Sequence, residues 1–305
     1  MKTPGATPSR RALLTAGAGA VLAATMSAGT ARAASPYRAD GVVARLRELE
    51  RERGVRLGVY ARDTATGRTV LHRADELFPM CSVFKTVAAA AVMRDLDHDG
   101  TRLAKRIHYT LQDVTDAGGG EITQAEENIA NGLTVAELCS AAIAQSDNAA
   151  ANLLLRELGG PTAITRFCRS LGDRTTRLDR WEPALNSAEP DRVTDTTSPR
   201  AIGLTYTRLA LGNALSPRHR EHLNRWLLAN TTSKERMRKG VPAQWALGDK
   251  TGAGSYGTNN DVGIAWPPGR PPLVMAILTT RAEATAPRDN EVIVRATQLL
   301  TQTLV

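Results

Sequence analysis

The stretch Ser82-Val83-Phe84-Lys85 is the point from which the rest of this 305-residue chain is interpreted. It opens a helix-compatible run that continues to Met93, so Ser82 is expected at a helix N-terminus. The free backbone N–H groups and positive potential found there suit a developing oxyanion. Ser82 and Lys85 share one helix face, and a buried lysine can lose its proton near neutral pH and act as a base. The stretch therefore indicates a serine nucleophile with an amine partner, although Ser82 alone would more simply be a helix N-cap.

A second motif, Ser146-Asp147-Asn148, follows a helical run over residues 135–145. The Ser146 hydroxyl is expected to relay a proton to a leaving amine, and Asn148 to bind a substrate amide and help orient Lys85. Asp147 is expected to brace the loop rather than to take part in the chemistry. Taken alone, such a tripeptide is most often a turn or capping signal.

A third motif, Lys250-Thr251-Gly252, is expected at the end of a strand. A lysine beside a hydroxyl suits a carboxylate, and Gly252 would let the backbone approach a ligand closely. A shuffled chain of this composition contains about 0.2 Ser-x-x-Lys and about 0.07 Lys-[Ser/Thr]-Gly matches. Either motif is weak alone, but the three in this order indicate attack on an acyl group through a serine ester.

The segment from Arg180 to Thr197 is typical of a compact loop between helices. Within it, Glu182 and Asn186 are suited to hold one water molecule, which would remove an acyl group. Arg180 and Asp195 are expected to pair across the neck of the loop. The alternative is a surface loop with an incidental ion pair, which contributes little stability.

With these four elements the chain resembles the class A serine β-lactamases, over nearly its whole length after the first 33 residues. The most specific part is Arg180-Trp-Glu-Pro-Ala-Leu-Asn186. The resemblance implies hydrolysis of the amide bond of penicillin-type antibiotics, and hence antibiotic resistance. Ser82 would be the acylated nucleophile, Lys85 its close partner, and Glu182 with Asn186 the groups that activate the hydrolytic water. Whether Lys85 or Glu182 takes the proton during acylation is disputed for this family.

The same resemblance implies three further features. The oxyanion hole would consist of the backbone N–H groups of Ser82 and Ala253. The carboxylate of the drug would be bound by Lys250, Thr251 and an arginine. The Glu182–Pro183 peptide bond is expected to be cis.

The chain also departs from the family pattern. Many members supply the arginine from the strand after Lys-Thr-Gly, where this chain has Asn259; some supply it from before that strand, and Arg236 is the matching candidate. The stretch Gly118–Thr123 lacks the aromatic residue that usually forms a wall of the site. Gly254 stands where some carbapenem-hydrolysing members have a cysteine that pairs with the equivalent of Cys81.

Three other functions compete with β-lactam hydrolysis. A D-alanyl-D-alanine peptidase or penicillin-binding protein would acylate at Ser82 but deacylate slowly, and Glu182 with Asn186 argues against it. A penicillin-sensing or cell-wall-binding module would need an anchor or signalling domain, which the sequence does not show. A zinc hydrolase is disfavoured because only His219 and His222 lie close together, without a third ligand nearby. No metal or cofactor is therefore expected.

The residue pattern predicts an α/β (α+β) fold in which an antiparallel sheet, flanked by the terminal helices, joins an all-helical lobe. Expected elements are helices over 34–55 and 289–304, and strands over 56–62, 69–73, 245–250, 261–266 and 273–279. The catalytic domain would span 34–305, with a sheet lobe over about 34–80 and 229–305 and a helical lobe over about 81–228. The active site would lie between the two lobes.

Composition fits a soluble globular enzyme, with 42% hydrophobic and 23% charged residues. The formal charge is +8, but residues 1–33 carry four basic residues and no acid, which leaves +4 for the remainder. No basic run with interleaved aromatics suggests nucleic acid. The partner expected is a small β-lactam, and the protein is expected to be a monomer. The odd number of cysteines, Cys81, Cys139 and Cys168, favours buried free thiols over disulfides or a cysteine nucleophile.

Residues 1–33 are typical of an export signal. Arg10 and Arg11 precede an apolar stretch over 12–25, and Ala31-Arg32-Ala33 offers a cleavage site. The paired arginines resemble a twin-arginine signal, so the mature chain would begin near Ala34, be secreted and have no stable membrane association. The alternative is an uncleaved anchor, but the apolar stretch is short for a bilayer span.

Overall fold

The computed structural model describes residues 37–305, with side chains described from residue 41 onward. The strands are β1 (Arg56–Asp63), β2 (Thr69–His72), β3 (Phe78–Pro79), β4 (Arg106–Ile107), β5 (Leu133–Thr134), β6 (Thr196–Thr197), β7 (Ala246–Ala253), β8 (Asn259–Trp266) and β9 (Leu273–Thr280). The helices are α1 (Tyr37–Arg53), α2 (Phe84–Leu96), α3 (Thr101–Ala104), α4 (Leu111–Asp116), α5 (Glu126–Asn131), α6 (Val135–Ala144), α7 (Asn148–Glu157), α8 (Thr162–Ser170), α9 (Pro199–Ala210), α10 (Pro217–Leu228), α11 (Met237–Gly240) and α12 (Asn290–Leu304). Short 3₁₀ turns cover Cys81–Val83 and Ala184–Ser187. The expected fold class is confirmed, while the expected signal at 1–33 lies outside the described residues.

The five long strands form one antiparallel sheet in the order β2-β1-β9-β8-β7. Its first two strands come from the start of the chain and its last three from the end, so the sheet joins both ends of the sequence. Strand β7 lies at one edge of this sheet, and that edge faces the 3₁₀ turn Cys81–Val83. This contact brings the third motif beside the first.

One face of the sheet is covered by α1 and α12. Leu46 and Leu49 of α1 and Leu300 of α12 are buried against Leu57 and Met275 of the sheet. Burying a large aliphatic side chain stabilises the fold by about 2 kcal/mol. The periodic apolar residues of the two terminal helices therefore explain why the ends of the chain pack together.

The opposite face of the sheet is covered by α9 and α10, which belong to the helical middle of the chain. Tyr206 of α9 is fully buried with Val262 and Ile264 in a core that continues into the helical region. Helix α2 lies inside this core, and its residues from Phe84 to Met93 are all buried. The small side chains Ala88–Ala91 let neighbouring helices approach α2 closely, which fixes the first motif between sheet and helices.

The extent of β7 differs from the expectation that Lys250 and Thr251 end a strand. The strand continues to Ala253, because residues 251–253 keep pairing with residues 259–261 of β8. All of the third motif therefore lies on rigid sheet rather than on a loop.

Within residues 37–305, no helix has both the length and the hydropathy that a membrane crossing would require.

Candidate active site

Ser82 lies in the 3₁₀ turn that leads into α2, and Lys85 follows in the first turn of that helix. Lys85 is completely buried. Its ammonium has three close acceptors: Ser146 O at 2.7 Å, Asn148 Oδ1 at 2.6 Å and Glu182 Oε1 at 3.1 Å. Burial of an ammonium is costly unless its donors are bonded, and here all three N–H donors have an acceptor. Lys85 thus joins the 146–148 segment and the 180–197 loop to the turn that carries Ser82.

Ser146 lies between the two motif lysines. Its Oγ is 3.0 Å from Nζ of Lys250 and 3.5 Å from Nζ of Lys85. The residue has a φ of +61°, an uncommon conformation for a side chain other than glycine. Burial lowers the pKa of Lys250 well below its ordinary value, and the positive charge of Lys85 lowers it further. The hydroxyl is therefore in reach of two amines that can exchange protons through it.

Asp147 braces the loop, as the sequence predicted. Its carboxylate accepts hydrogen bonds from the backbone N–H groups of Ile122 at 3.0 Å, Thr123 at 2.9 Å and Ala150 at 2.8 Å. The last of these bonds caps α7. A carboxylate with three backbone donors ties the 118–123 stretch to the helix that carries Asn148.

Glu182 approaches Ser82 from the 180–197 loop. Its Oε1 lies 3.4 Å from Oγ of Ser82, and its Oε2 accepts a hydrogen bond from Nδ2 of Asn186. The Glu182–Pro183 bond is cis, as expected. Asn152 holds the backbone of Glu182 by two hydrogen bonds, one to its carbonyl at 2.9 Å and one from its N–H at 3.0 Å. The carboxylate is thus fixed beside both Ser82 and Lys85.

The neck of this loop is closed by ion pairs. Nε of Arg180 lies 2.5 Å from Oδ2 of Asp195, as the sequence predicted, and a further contact joins Arg180 to Glu189 at 3.3 Å. Asp179 accepts a hydrogen bond from the backbone N–H of Asp195 at 3.0 Å. The Asp195 side chain is nearly inaccessible to solvent, so this pair is screened less than a surface pair. These contacts hold the loop that positions Glu182.

Strand β7 brings Lys250, Thr251 and Ala253 alongside the Ser82 turn. A side chain at Gly252 would put a Cβ 2.9 Å from the carbonyl of Met80, closer than real Cβ atoms normally come. Gly252 is therefore needed for the strand to pack against the turn that carries Ser82. The expectation that Gly252 lets the backbone approach a ligand closely stays a prediction beside this contact within the protein.

Similarity to known proteins agrees with this geometry. Residues 41–304 match the model of a family described as the beta-lactamase enzyme family. The chain belongs to this family. It is 65% identical to a beta-lactamase of Streptomyces lavendulae, with all of both chains covered. The solved beta-lactamase of Streptomyces albus G has a TM-score of 0.86 at 63% identity, covering 87% of this chain and all of that one. An ancestral class A beta-lactamase has a TM-score of 0.81 at 49% identity, covering 86% and 99%. The predicted class A membership is confirmed.

The two alternative arginine positions of the family are neighbours in this beta-lactamase fold. Nε of Arg236 donates to Oδ1 of Asn290 at 3.2 Å, and Nδ2 of Asn259 donates to the same oxygen at 3.1 Å. Arg236 also lies 3.4 Å from the carbonyl of Gly252 in the third motif. Burial lowers the pKa of Arg236, while the nearby carboxylate of Asp261 opposes this effect. A guanidinium from either position would therefore reach the same end of the site.

Two polar contacts of this beta-lactamase site were missed by the sequence reasoning. One is Asn152, which holds Glu182; it lies four residues after Asn148 on α7, a spacing that could have revealed a shared face. The other is Thr232, whose hydroxyl lies 2.5 Å from the hydroxyl of Thr251. No spacing rule connects residues 232 and 251, so this contact had no signal in the sequence.

Behind the beta-lactamase motifs, two buried carboxyl groups face each other. Asp249 and Asp261 lie diagonally across the β7–β8 pair, where Asp249 is opposite Gly263. A Cβ at Gly263 would come 2.5 Å from Cβ of Asp249, so the glycine makes room for that side chain. Burial raises the pKa of both groups, and for Asp261 the charge of Asp249 raises it further. One carboxyl of the pair therefore keeps its proton to higher pH than an ordinary aspartate.

All three cysteines are free and buried, and burial raises the pKa of each thiol. A thiolate is the reactive form of cysteine, so Cys81 is unsuited to compete with the adjacent Ser82. In the described part of the chain, no group of three or more His, Cys, Asp or Glu residues is arranged to hold a metal.

Proposed function

We propose that the protein hydrolyses the amide bond of β-lactam antibiotics through an acyl-enzyme on Ser82, and so confers resistance. The observation that carries the proposal is the position of Glu182. Its Oε1 lies 3.4 Å from Oγ of Ser82 and 3.1 Å from Nζ of Lys85, and its side chain is inaccessible to solvent. One carboxylate is thus in reach of the nucleophile, of the amine partner and of a water bound between them.

In the acylation step, Oγ of Ser82 attacks the carbonyl carbon of the β-lactam and loses its proton. Two routes are available for that proton. The Glu182 carboxylate can take it directly or through a water, or Lys85 can take it after transferring a proton to Glu182 across their 3.1 Å contact. The backbone N–H groups of Ser82 and Ala253 would stabilise the oxyanion, because they are fixed donors on a helix start and a strand.

Collapse of the tetrahedral adduct breaks the C–N bond of the ring, and the departing nitrogen needs a proton. Ser146 is suited to deliver it, because its Oγ lies 3.0 Å from Nζ of Lys250 and 3.5 Å from Nζ of Lys85. The hydroxyl gives its proton to the nitrogen and receives one from a lysine. Asn148 would bind the side-chain amide of the drug while its Oδ1 accepts from Lys85.

The carboxylate of the drug would bind to Lys250, Thr251 and Arg236. Lys250 and Thr251 lie on β7, and Arg236 is 3.4 Å from the carbonyl of Gly252 on the same strand. Two cations and a hydroxyl at one end of the groove orient the ring carbonyl toward Ser82. Charge-assisted hydrogen bonds of this kind are shorter and stronger than neutral ones.

In the deacylation step, a water held by Glu182 and Asn186 attacks the ester carbonyl and gives its proton to Glu182. The ester C–O bond then breaks, and Oγ of Ser82 recovers a proton. The hydrogen bond from Asn186 fixes Oε2 of Glu182, so Oε1 stays directed at Ser82. Rapid removal of the acyl group is what distinguishes a β-lactamase from a penicillin-binding protein.

The test is to replace Glu182 by alanine or glutamine and to follow benzylpenicillin by stopped flow and intact-protein mass spectrometry. We expect Ser82 to be acylated and kcat to fall roughly 10²- to 10⁴-fold, with the acyl-enzyme accumulating. Asp191→Asn is the matched control, since Asp191 lies in the same loop, is exposed and makes none of the contacts that close the neck of the loop. Unchanged turnover in Glu182→Gln would remove this residue from deacylation. A stable adduct on the unaltered protein would instead identify a penicillin-binding protein.

We also propose that residues 1–33 export the folded enzyme by the twin-arginine route and that the secreted enzyme is a monomer. The support for export is the Arg10-Arg11 pair before an apolar stretch and the Ala31-Arg32-Ala33 site. Replacing both paired arginines by lysine should retain β-lactamase activity inside the cell, and N-terminal sequencing of the secreted enzyme should begin at Ala34. Light scattering should give the mass of a single chain.

A further inference from the structure

A second cavity, separate from the proposed catalytic residues, lies beside the 180–197 loop. Its volume is about 1010 Å³, and it is enclosed by the junction of α1 and β1, by residues 73–79, by residues 188–196 and by the end of β9. We call it the Arg51 cavity. None of the residues assigned to catalysis or substrate binding lines it. Pockets that bind small molecules are typically of about 300–1,000 Å³.

The walls of the Arg51 cavity are largely apolar. They include Val55, Leu77, Pro79, Ala188 and Val193. The side chain of Val193 is 52% exposed, although it lines a concave surface. An apolar surface of this kind favours a ligand with an apolar body, because its burial removes both surfaces from water.

Two of the arginines around the cavity are already neutralised. Arg56 donates two hydrogen bonds to Glu76, the shorter at 2.7 Å, and its guanidinium also lies over the ring of Phe78. Arg73 lies 2.7 Å from a carboxylate oxygen of Glu50. These pairs leave little net charge at that end of the cavity.

Three other arginines retain unused donors. Among residues 41–305, Arg51 makes no side-chain hydrogen bond or ion pair, and Arg192 has only a 3.8 Å contact to Glu189. Nε of Arg281 is buried without a partner, although its other nitrogen contacts Asp289 at 3.3 Å.

The four acidic groups of the lining offset most of the positive charge. Glu189 is already bonded by Ser187 and Arg180, which lower its pKa to about 2. Asp191 is the remaining acid on this wall. The cavity lining holds five arginines and four acidic residues, so a net charge of +1 remains around the apolar surface.

We propose that the Arg51 cavity is a second binding site, for a small organic anion with an apolar body. Such a ligand would place its body against Val193 and Pro79 and its anionic group on the arginine rim. It would contact both the α1–β1 junction and residues 188–196, which continue the loop that holds Glu182. Pro79 also pairs with Thr196 in the β3–β6 ladder, three residues before the nucleophile. The site thus borders the two segments that position Ser82 and Glu182.

The test uses 8-anilino-1-naphthalenesulfonate, an apolar fluorophore with one sulfonate, titrated against the folded enzyme. We expect saturable binding of one equivalent and about tenfold weaker binding in Arg51→Gln, which removes one charge-assisted contact. Val193→Asp should weaken binding at least as much, because it puts a negative charge on the apolar wall. Both side chains are exposed, and unchanged penicillin turnover verifies that each variant is folded.

Matched controls exist on the same molecule. Arg47→Gln removes a positive charge one turn away on α1, and Leu228→Asp adds a negative charge at an exposed apolar residue of α10; neither residue lines the cavity. Binding should be unchanged in both. Equal affinity in all four variants, or crystallographic density for the probe only in the catalytic groove, would overturn the proposal. This outcome does not depend on the role assigned to Glu182, since the readout is binding rather than turnover.

Discussion

Strand β7 carries a charged cluster on each of its two faces, and the two clusters are built on opposite principles. On one face Lys250 joins Lys85, Ser146 and Glu182, where cations alternate with a carboxylate and with oxygen acceptors. On the other face Asp249 meets Asp261, so two groups of the same sign are buried together. Neighbouring residues of a strand point to opposite faces, which is why positions 249 and 250 belong to different clusters.

The difference shows how a protein keeps buried charges. In the first cluster every charged group has an opposite partner or a hydrogen bond, and this arrangement lets protons move between groups. The aspartate pair avoids two like charges by holding a proton. Removing one charge should therefore destabilise the first cluster and relieve the second.

The largest effect is expected for Lys85→Met, which leaves the buried Glu182 carboxylate without its cation. Acylation of Ser82 should fall at least about 10³-fold, because a positioned acid–base group is lost. The free energy of unfolding should fall by about 3 kcal/mol, since breaking a buried pair strands a charge. Stopped-flow acylation and urea denaturation measure the two effects.

The double variant Lys85→Met/Glu182→Gln sharpens this result. With both charges removed, it should be more stable than Lys85→Met alone, although no more active. If the stability losses of the two single variants simply add in the double variant, the 3.1 Å ion pair does not explain the stability lost in Lys85→Met.

The next largest effect is expected for Arg236→Ala. KM for a carboxylate-bearing penicillin should rise roughly 10- to 100-fold, because a hydrogen bond to a charged group contributes about 1.5–3 kcal/mol. Since Arg236 and Asn259 share the acceptor Oδ1 of Asn290, Arg236→Ala/Asn259→Arg should recover much of the lost affinity. If adding Asn259→Arg to Arg236→Ala fails to lower KM, position 259 does not face the substrate.

A smaller effect, confined to alkaline pH, is expected for Lys250→Arg. Because burial and Lys85 lower the pKa of Lys250, its ammonium should lose its proton, and its hold on the substrate carboxylate, below the pH at which a free lysine does. Arginine keeps its charge, so the alkaline fall in kcat/KM should move to higher pH while KM at neutral pH rises several-fold. A pH profile from 7 to 11 measures the shift. Coincident alkaline limbs in the two enzymes would assign that limb to another group.

The motif residues were predictable because their positions follow from short spacings. Ser82 and Lys85 are three residues apart across the junction of a 3₁₀ turn and α2, and Glu182 and Asn186 are four residues apart in one compact loop. Each pair therefore meets whatever the rest of the chain does. The resemblance to class A β-lactamases then implied that these local pairs form one site.

What the sequence did not reveal depends on long-range register. Asp249 meets Asp261 only because Asp249 is opposite Gly263, a pairing that no local pattern encodes. The contact of Gly252 with the Ser82 turn was missed for a similar reason: its neighbour is the carbonyl of Met80, about 170 residues away along the chain. Strand partners and cross-lobe contacts need the packed structure, whereas helix faces and turns do not.

The smallest effect, and one of opposite sign, is expected for Asp249→Asn. An acid whose pKa is raised by folding contributes its stability in full below its unfolded pKa and loses it as pH rises through the folded pKa. The wild-type pair should therefore lose stability as the pH rises above the ordinary aspartate pKa of about 4. The asparagine side chain cannot ionise, so the variant should gain stability relative to wild type between pH 5 and pH 8. Urea denaturation at the two pH values measures the difference.

Asp261→Asn should follow the same trend but should also raise KM, because it removes a carboxylate that acts on Arg236. If either aspartate variant instead loses stability at pH 8, the aspartate pair is held by bonded charges and not by a shared proton. Such a loss is the result expected for Lys85→Met on the catalytic face.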